Sequence, residues 1–346
     1  GKVLRCPHGH ARVTKLDTSQ AKNMPGVKAV RVIQDVGSEI QFALDEIAVV
    51  AAETEDMARD AIRAIQVEYE VLAHFVMEED IGSAPETKVA DEEVTGDPDA
   101  AMESAEVTHE GNYGIFVISH CCLEPHGQVV EWDDPQNMTA WCSTQNVSGL
   151  PAQFAEQLNI PASNVRAIVD YMGGGFGSKF GADRWGIECA ELAREAGAPV
   201  KLLLEREAEI TVAGTRPSAF AEVKLGATRD GTLTAWQSKT WGSGGIAGRG
   251  APPMPYILEI PNRGHQHTVV PTNRGAARAW RAPRHPQGCF LTFSAIDDLA
   301  AKLRMDPMEL MLKNLSITGA RSKEYEEELQ KGAELIDWKQ KWHARG

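Results

Sequence analysis

Between residues 173 and 179 the chain reads Gly-Gly-Gly-Phe-Gly-Ser-Lys, with Gly173, Gly174, Gly175 and Gly177 filling four of five positions. Without β-carbons a backbone can approach a ligand closely. Placed between a strand and a helix, its N–H groups can face anionic oxygens near the positive helix end. A phosphate-binding P-loop needs Gly-Lys-Ser/Thr after four intervening residues; here Gly177 is followed by Ser178, Lys179 and Phe180, and the match fails. The dinucleotide pattern G-x-G-x-x-G fails too, ending on Ser178 when counted from Gly173 and on Phe180 from Gly175. The plain alternative is a tight turn where backbone meets backbone. Residues 120–127 set His120, Glu124 and His126 among apolar groups. These could ligate zinc, but their offsets do not match the helical H-E-x-x-H spacing, and a turn fixed at Glu124-Pro125 with a salt bridge is the simpler reading. Residues 274–288 interleave Arg274, Arg278, Arg281 and Arg284 with alanines and Trp280. Arginines among small residues hold phosphate or another oxyanion; a solvated basic face is the alternative, weakened by the apolar interleaving.

The composition narrows what such groups could serve. The 346 residues hold 35 basic against 49 acidic side chains, a net charge of −14, with 42% hydrophobic residues. That length fits two or three domains of an ordinary globular protein. The acidity argues against nucleic acid as a partner of the whole chain and for a small-molecule substrate. No apolar run reaches the roughly 18 residues of a membrane span. Cys6, Cys121, Cys122, Cys142, Cys189 and Cys289 form no C-x-x-C pair, so a zinc ribbon or redox motif is not supported. Each reads as a buried small hydrophobe. No signal-peptide pattern opens the chain.

The elements that must position these groups are visible in the spacing. Residues 47–51 predict a strand, and Thr54 caps a helix carrying Met57, Ala61, Ile62 and Ile65. Val67, Tyr69 and Val71 alternate as a second strand, which predicts a strand–helix–strand unit on a mixed sheet. Residues 81–106 are acidic, broken by Pro85, Gly96 and Pro98, and predict an exposed linker. Beyond it, strands at 129–132 and 138–141 flank an Asp-Asp-Pro-Gln-Asn turn, and a helix carries Leu150, Phe154 and Leu158. A buried strand over 165–172 runs into the glycine loop, followed by a helix over 182–196 that stops at Gly197. Strands at 200–204, 221–225 and 233–238, the last two joined at Asp230-Gly231, precede a glycine- and proline-rich loop at 242–255. A helix over 290–303 and another opened by Asp306-Pro307-Met308-Glu309 close the pattern. The fold class is α+β.

Taken together, residues 120–127, Ser143-Thr144-Gln145-Asn146, 173–179 and 280–288 resemble, in order, the molybdenum-cofactor subunit of the xanthine dehydrogenase and aldehyde oxidoreductase family of molybdenum hydroxylases. Residues 1–13 are similar to that family's a/b hammerhead domain, and 296–314 to its closing stretch. The resemblance covers nearly the whole chain, and Thr-Gln followed about thirty residues later by Gly-Gly-Gly-Phe-Gly is its specific part. It implies a hammerhead-like domain over 1–80, incomplete at its front, the acidic linker over 81–106, and a first molybdenum-cofactor-binding domain over 107–346. It implies a molybdopterin cofactor, in the cytosine dinucleotide form of many bacterial members, whose metal is held by the pterin dithiolene rather than by protein. By the same resemblance Gln145 hydrogen-bonds the metal's oxo ligand, Gly174, Gly175, Phe176 and Gly177 lie beside metal and pterin, and Arg281 flanks the metal.

The departures are informative. Phe180 stands where purine-oxidising members place a glutamate, and Pro283 where they place a stacking aromatic, so xanthine is not the expected substrate. Arg249 aligns loosely with a substrate-facing arginine. The family's catalytic glutamate, in a Gly-Glu-Pro-type motif of a second molybdenum-cofactor domain, has no match, since no Gly-Glu pair occurs here. The resemblance therefore implies half of an active site that oxidises an aldehyde or N-heterocycle with water-derived oxygen. Electrons would leave to 2Fe-2S and FAD subunits, and the chain would be inactive alone. A cytoplasmic, or alternatively periplasmic, enzyme is implied, with Gly1 pointing to truncation at the front. A non-catalytic remnant of the fold and an ordinary phosphate-binding protein are the competing readings.

Overall fold

The computed structural model describes residues 1–248 and 250–343; Arg249 lies outside the described residues. The chain opens with strands β1 (Lys2–Arg5) and β2 (Ala11–Asp17), a short helix α1 (Ser19–Lys22), then β3 (Val27–Val32), β4 (Glu39–Ile40) and β5 (Glu46–Ala52). Helix α2 (Glu55–Ala64) and β6 (Gln66–Val71) follow. Thr54 does cap α2, its hydroxyl accepting the Met57 N–H at 3.2 Å. The strands on either side of α2 do not share a mixed sheet. β5 is the central strand of an antiparallel sheet β1-β5-β3, and β6 is an edge of a second one, β4-β2-β6. The burial of β5 explains the split: Ile47, Ala48, Val49 and Val50 are covered on both faces, which demands a central position. The alternating β6 has only one face to bury.

The stretch over 81–106 is not a free linker. It contains β7 (Lys88–Thr95) and α3 (Pro98–Glu103), followed by β8 (Val107–Ile115) and β9 (Ile118–Ser119). β7 pairs antiparallel along the edge of a sheet completed by more distant strands. Its run of exposed Asp91, Glu92 and Glu93 hides the strand from a hydrophobicity reading, while charge on an edge strand blocks pairing with other chains.

Next come β10 (Gly127–Asp134), β11 (Asn137–Cys142), α4 (Leu150–Leu158), β12 (Val165–Ile168), α5 (Asp183–Ala196), β13 (Val200–Leu203), α6 (Arg206–Thr211) and β14 (Thr215–Arg216). The β10–β11 turn is tied by Asp134 Oδ1, which accepts the N–H groups of Gln136 and Asn137 at 2.8 and 2.9 Å. Strands β10 to β13 form the sheet β12-β11-β10-β13, and β14 pairs with β9. β12 is shorter than its apolar sequence suggests. Its parallel pairing ends where Ile168 meets Trp141, because β11 itself stops at Cys142, and Tyr171 beyond it is 91% exposed. Strands β15 (Ala219–Ala227), β16 (Leu233–Gly242) and β17 (Asn262–Val269) then complete a five-stranded sheet β7-β17-β16-β15-β8. Helices α7 (His285–Leu303), α8 (Pro307–Lys313), α9 (Ser322–Leu335) and α10 (Trp338–Lys341) finish the chain. Asp306 caps α8 through the Met308 N–H at 2.8 Å.

Two main cores result. One joins the four-stranded sheet, α4 and α5 through Val130, Met138, Phe154, Leu192 and Leu202, and takes in Ala29, Val49 and Ala51 from the front of the chain. The other packs α7 and α8 on the five-stranded sheet through Val223, Leu225, Trp236, Leu291 and Leu299. The glycine loop issues from the first core and residues 274–284 from the second. Four cysteines are buried as expected, but Cys121 is exposed and Cys289 half-buried.

Candidate functional site

The loop 173–179 joins β12 to α5, and most of its polar groups are spoken for inside the chain. Glu124 Oε2 accepts the Gly173 N–H at 2.6 Å and, with the Glu124 carbonyl at 2.8 Å, holds the buried Lys179 ammonium. So Glu124 makes the turn and salt bridge that its Pro neighbour suggested. Thr144 Oγ1 donates to the Lys179 carbonyl at 2.9 Å, and the Gln145 N–H to the same oxygen at 3.0 Å. Gln145 Oε1 accepts the Gly177 N–H at 2.7 Å and, more weakly, the Lys179 N–H at 3.4 Å. Both partners are donors, so the amide orientation is settled by chemistry: oxygen toward the loop, NH2 away from it. That NH2, and the N–H groups of Gly174, Gly175 and Phe176, meet no acceptor among the described residues. They form an oriented donor set on a rigid loop.

The glycines are required by close packing within the chain. A Cβ on Gly173 would meet Glu124 Cβ at 2.5 Å, one on Gly175 would meet Gln145 Oε1 at 2.5 Å, and one on Gly177 would meet the Ala279 carbonyl oxygen at 2.4 Å. Gly177 also has φ +115°, closed to most side chains. Backbone thus meets backbone at Gly177, whereas Gly173 and Gly175 make room for the side chains of Glu124 and Gln145. The phosphate reading weakens for a related reason: Asp183 already occupies the first turn of α5 and takes a bidentate pair from Arg278, at 2.6 and 2.9 Å.

Segment 274–284 closes over the loop. The Arg281 N–H donates to the Phe176 carbonyl at 2.8 Å, and its guanidinium lies 5.5 Å from the Phe176 ring centroid. Phe176 holds a left-handed φ of +53°, and the residue is 42% exposed. Gln145, Gly174, Gly175, Phe176, Gly177 and Arg281 therefore do converge. Phe180 and Pro283 line an adjoining cleft of about 610 Å³. The arginines of this segment divide by role. Arg274 is matched with the buried Glu78 at 2.8 Å, and Arg278 binds Asp183 and the Ser178 carbonyl. Both are structural, while Arg281 and Arg284 point a charge at solvent-accessible space.

Three groups behind the loop complete the frame. Buried His126 meets Glu209 Oε1 at 2.8 Å and the Ser178 carbonyl at 3.3 Å. Burial alone would raise the Glu209 carboxyl, but the hydrogen bonds from the His126 ring and N–H outweigh it and hold it below its usual range. His120 bridges the Gly214 and Ala279 carbonyls at 3.1 and 2.7 Å and stacks on Trp280, with centroids 4.6 Å apart. Burial pulls its pKa below the ordinary histidine value, although both carbonyls favour the charged form. Arg216, 5.1 Å above the Trp280 ring, was invisible in the sequence, an isolated arginine in a two-residue strand. No group of three or more His, Cys, Asp and Glu able to hold a metal is gathered among the described residues. No helix among them is long and apolar enough to cross a membrane.

A family profile described as a molybdopterin cofactor-binding domain matches residues 81–315. The chain is 30% identical over 354 residues to the nicotinate dehydrogenase large molybdopterin subunit of Eubacterium barkeri, covering 92% of this chain and 83% of that protein. It is 30% identical over 370 residues to the aldehyde oxidoreductase molybdenum-binding subunit PaoC of Escherichia coli K12, covering 99% of this chain but 50% of that one. Among solved structures, quinoline 2-oxidoreductase from Pseudomonas putida 86 shares the fold, with a TM-score of 0.78, 23% identity, and coverage of 90% of this chain and 46% of that chain. The aldehyde oxidoreductase from Desulfovibrio gigas superposes with a TM-score of 0.74 and 26% identity, over 90% and 39% respectively.

Proposed function

The chain belongs to the molybdenum hydroxylase family as a molybdopterin-cofactor-binding subunit, and from that footing we propose that it forms one wall of an active site that oxidises an aldehyde or N-heterocycle with oxygen taken from water. The observation that carries this reading is the amide of Gln145. Its oxygen is fixed on the Gly177 N–H, which leaves its NH2 as a pre-oriented donor turned away from the loop.

When bound, the molybdenum pterin supplies the two-electron redox centre that oxidation of a substrate carbon needs, its metal held by the dithiolene. The chain's own part is positioning and electrostatics. The Gln145 NH2 and the free loop N–H groups offer hydrogen bonds to electron-rich ligand atoms without reorganising at the moment of reaction. The ring of Phe176 lies against Gly174 at the surface of the loop. The Arg281 cation adds positive potential from the facing loop segment, its backbone locked to Phe176. His126, Lys179 and Glu124 keep the loop rigid from behind.

A second molybdenum-cofactor domain, on a further polypeptide or elsewhere in a longer one, would bring the glutamate base and the rest of the pterin grip. A 2Fe-2S subunit and an FAD subunit would carry electrons away, and the pterin would be the cytosine dinucleotide. Metal analysis tests the proposal: the complex purified with its partners should hold about one molybdenum per chain by the stoichiometry of a single pterin site. A complex that is folded, pterin-replete in its expression host and free of molybdenum would overturn it.

A further inference from the structure

The cleft between the glycine loop and the arginine segment carries more positive charge than its surroundings neutralise. Its lining includes Arg216, Arg278 and Arg284 and, among the described residues, no acidic side chain. Arg278 is matched by Asp183, but Arg216 and Arg284 pair with no carboxylate among the described residues. Arg216 is the more telling of the two. It is 6% exposed, yet its guanidinium donates only to uncharged oxygens: Arg281 O at 2.8 Å, and Ala282 O and Gln287 Oε1 at 3.3 Å each. A cation taken out of water costs free energy that a counter-charge would offset, and burial accordingly lowers its pKa. Arg284 is exposed at the rim with a single long bond, 3.4 Å to Ala251 O, so its planar fork is open. Both occur in a chain of net charge −14, where carboxylates are plentiful and this cleft is lined by none. Beside the two cations, Phe180, Pro217, Trp280 and Pro283 supply flat apolar walls.

We propose that this cleft selects a planar substrate bearing a carboxylate besides its oxidisable carbon, an aromatic or heteroaromatic acid, with Arg284 as the anchor of the carboxylate and Arg216 as a second, buried positive charge. The inference rests on the molybdopterin reading for the oxidation and adds the charge of the substrate. An arginine–carboxylate fork fixes orientation as well as position. A flat ring held at its acid end presents one carbon for oxidation rather than any of several. The same chemistry would also suit a phosphate of the cofactor, so the test must tell the two sources apart.

Calorimetric titration of the full chain with benzoate, benzamide and inorganic phosphate does so, in the wild type and in Arg284→Gln. The expected result is benzoate binding about ten- to a hundredfold tighter than benzamide, the scale of one charged hydrogen-bond pair, with the gap shrinking at high salt and closing in Arg284→Gln. Phosphate should be displaced by benzoate. Equal binding of benzoate and benzamide, or no binding of either, overturns the proposal. So does phosphate that binds tightly and is untouched by benzoate, which would assign the charge to the cofactor. In the assembled enzyme, Arg284→Gln should raise the ratio of KM for 4-carboxybenzaldehyde to KM for benzaldehyde by a similar factor, and an unchanged ratio would overturn the proposal. Molybdenum content, measured on the same preparations, reports separately on the molybdopterin reading.

Discussion

Exchanging Gln145 for alanine and, separately, for glutamate should pull apart the two ends of its amide. The inward end accepts one strong hydrogen bond, from the Gly177 N–H at 2.7 Å, and one weak one, from the Lys179 N–H at 3.4 Å. Gly177 is buried, so Gln145→Ala leaves its N–H without a partner, at a cost of about 1–3 kcal/mol in stability. Gln145→Glu keeps an acceptor of nearly the same shape in the same place and should cost about 1 kcal/mol or less, the spread of a single retained bond. The outward end behaves differently. Both substitutions remove the NH2 donor, and losing one pre-oriented donor costs roughly 2–4 kcal/mol of transition-state stabilisation, about 30- to 1000-fold in kcat. The expected pattern is therefore two slowed variants of which only one is destabilised. Urea denaturation of the chain gives the first quantity, and kcat per bound molybdenum in the assembled enzyme gives the second. An alanine variant as stable as the wild type would refute the anchoring argument. A glutamate variant with wild-type turnover at full molybdenum content would refute the donor argument.

Other outcomes follow from the same geometry. Gly177→Ala should destabilise the chain by about 2 kcal/mol or more, since it adds strain at φ +115° to a 2.4 Å approach to the Ala279 oxygen; a melting temperature within a degree of wild type would show that the segment yields. His267 is buried on β17, its Nε2 lacking a partner among the described residues and its pKa pushed down to about 4 by burial and by neighbouring His265. Its folded pKa is below its unfolded one, so the unfolded state takes up the proton first and stability falls as pH drops from about 6.5 to about 4. The contribution is on the order of 3 kcal/mol. His267→Gln should flatten that part of the pH–stability curve, and an unchanged slope would count against the assignment. Supplied with molybdenum cofactor and an artificial electron acceptor, the chain alone should turn over no aldehyde or N-heterocycle in a panel, and sustained turnover would mean that the proton-accepting base lies within these 346 residues.

Much of the site was legible because its signals are local. A glycine-rich loop, an arginine run and a Thr-Gln pair are each contiguous, and the loop's placement between a strand and a helix follows from short-range periodicity. What escaped was set by contacts between distant parts of the chain. Nothing near Gly175 or Gly177 announces that Gln145 and Ala279 press against them. Arg216 has no neighbour in sequence that hints at Trp280 or at its place in the cleft. The split of β5 and β6 between two sheets depends on which faces later elements cover, and β7 looked like a linker because the charged run Asp91-Glu92-Glu93 lies at its centre. The arginine run was ambiguous as a group because its members have different fates, Arg274 and Arg278 in ion pairs and Arg281 and Arg284 in none among the described residues.

The front of the chain is not a detachable module. Ala29, Val49 and Ala51 are buried in the same core as α5, and Arg31 reaches across to Glu188 and Glu195 on that helix at 2.8 and 2.6 Å. Because α5 begins just after the glycine loop, a chimaera that replaces residues 1–80 with the matching segment of a relative would seat α5 on a foreign surface. Its register would shift the loop it follows. Recombination between relatives should then be tolerated when residues 1–80 travel together with Asp183–Ala196, and should damage cofactor retention when they are separated. The unit of exchange in this chain is a packed surface, and it does not coincide with any contiguous stretch of sequence.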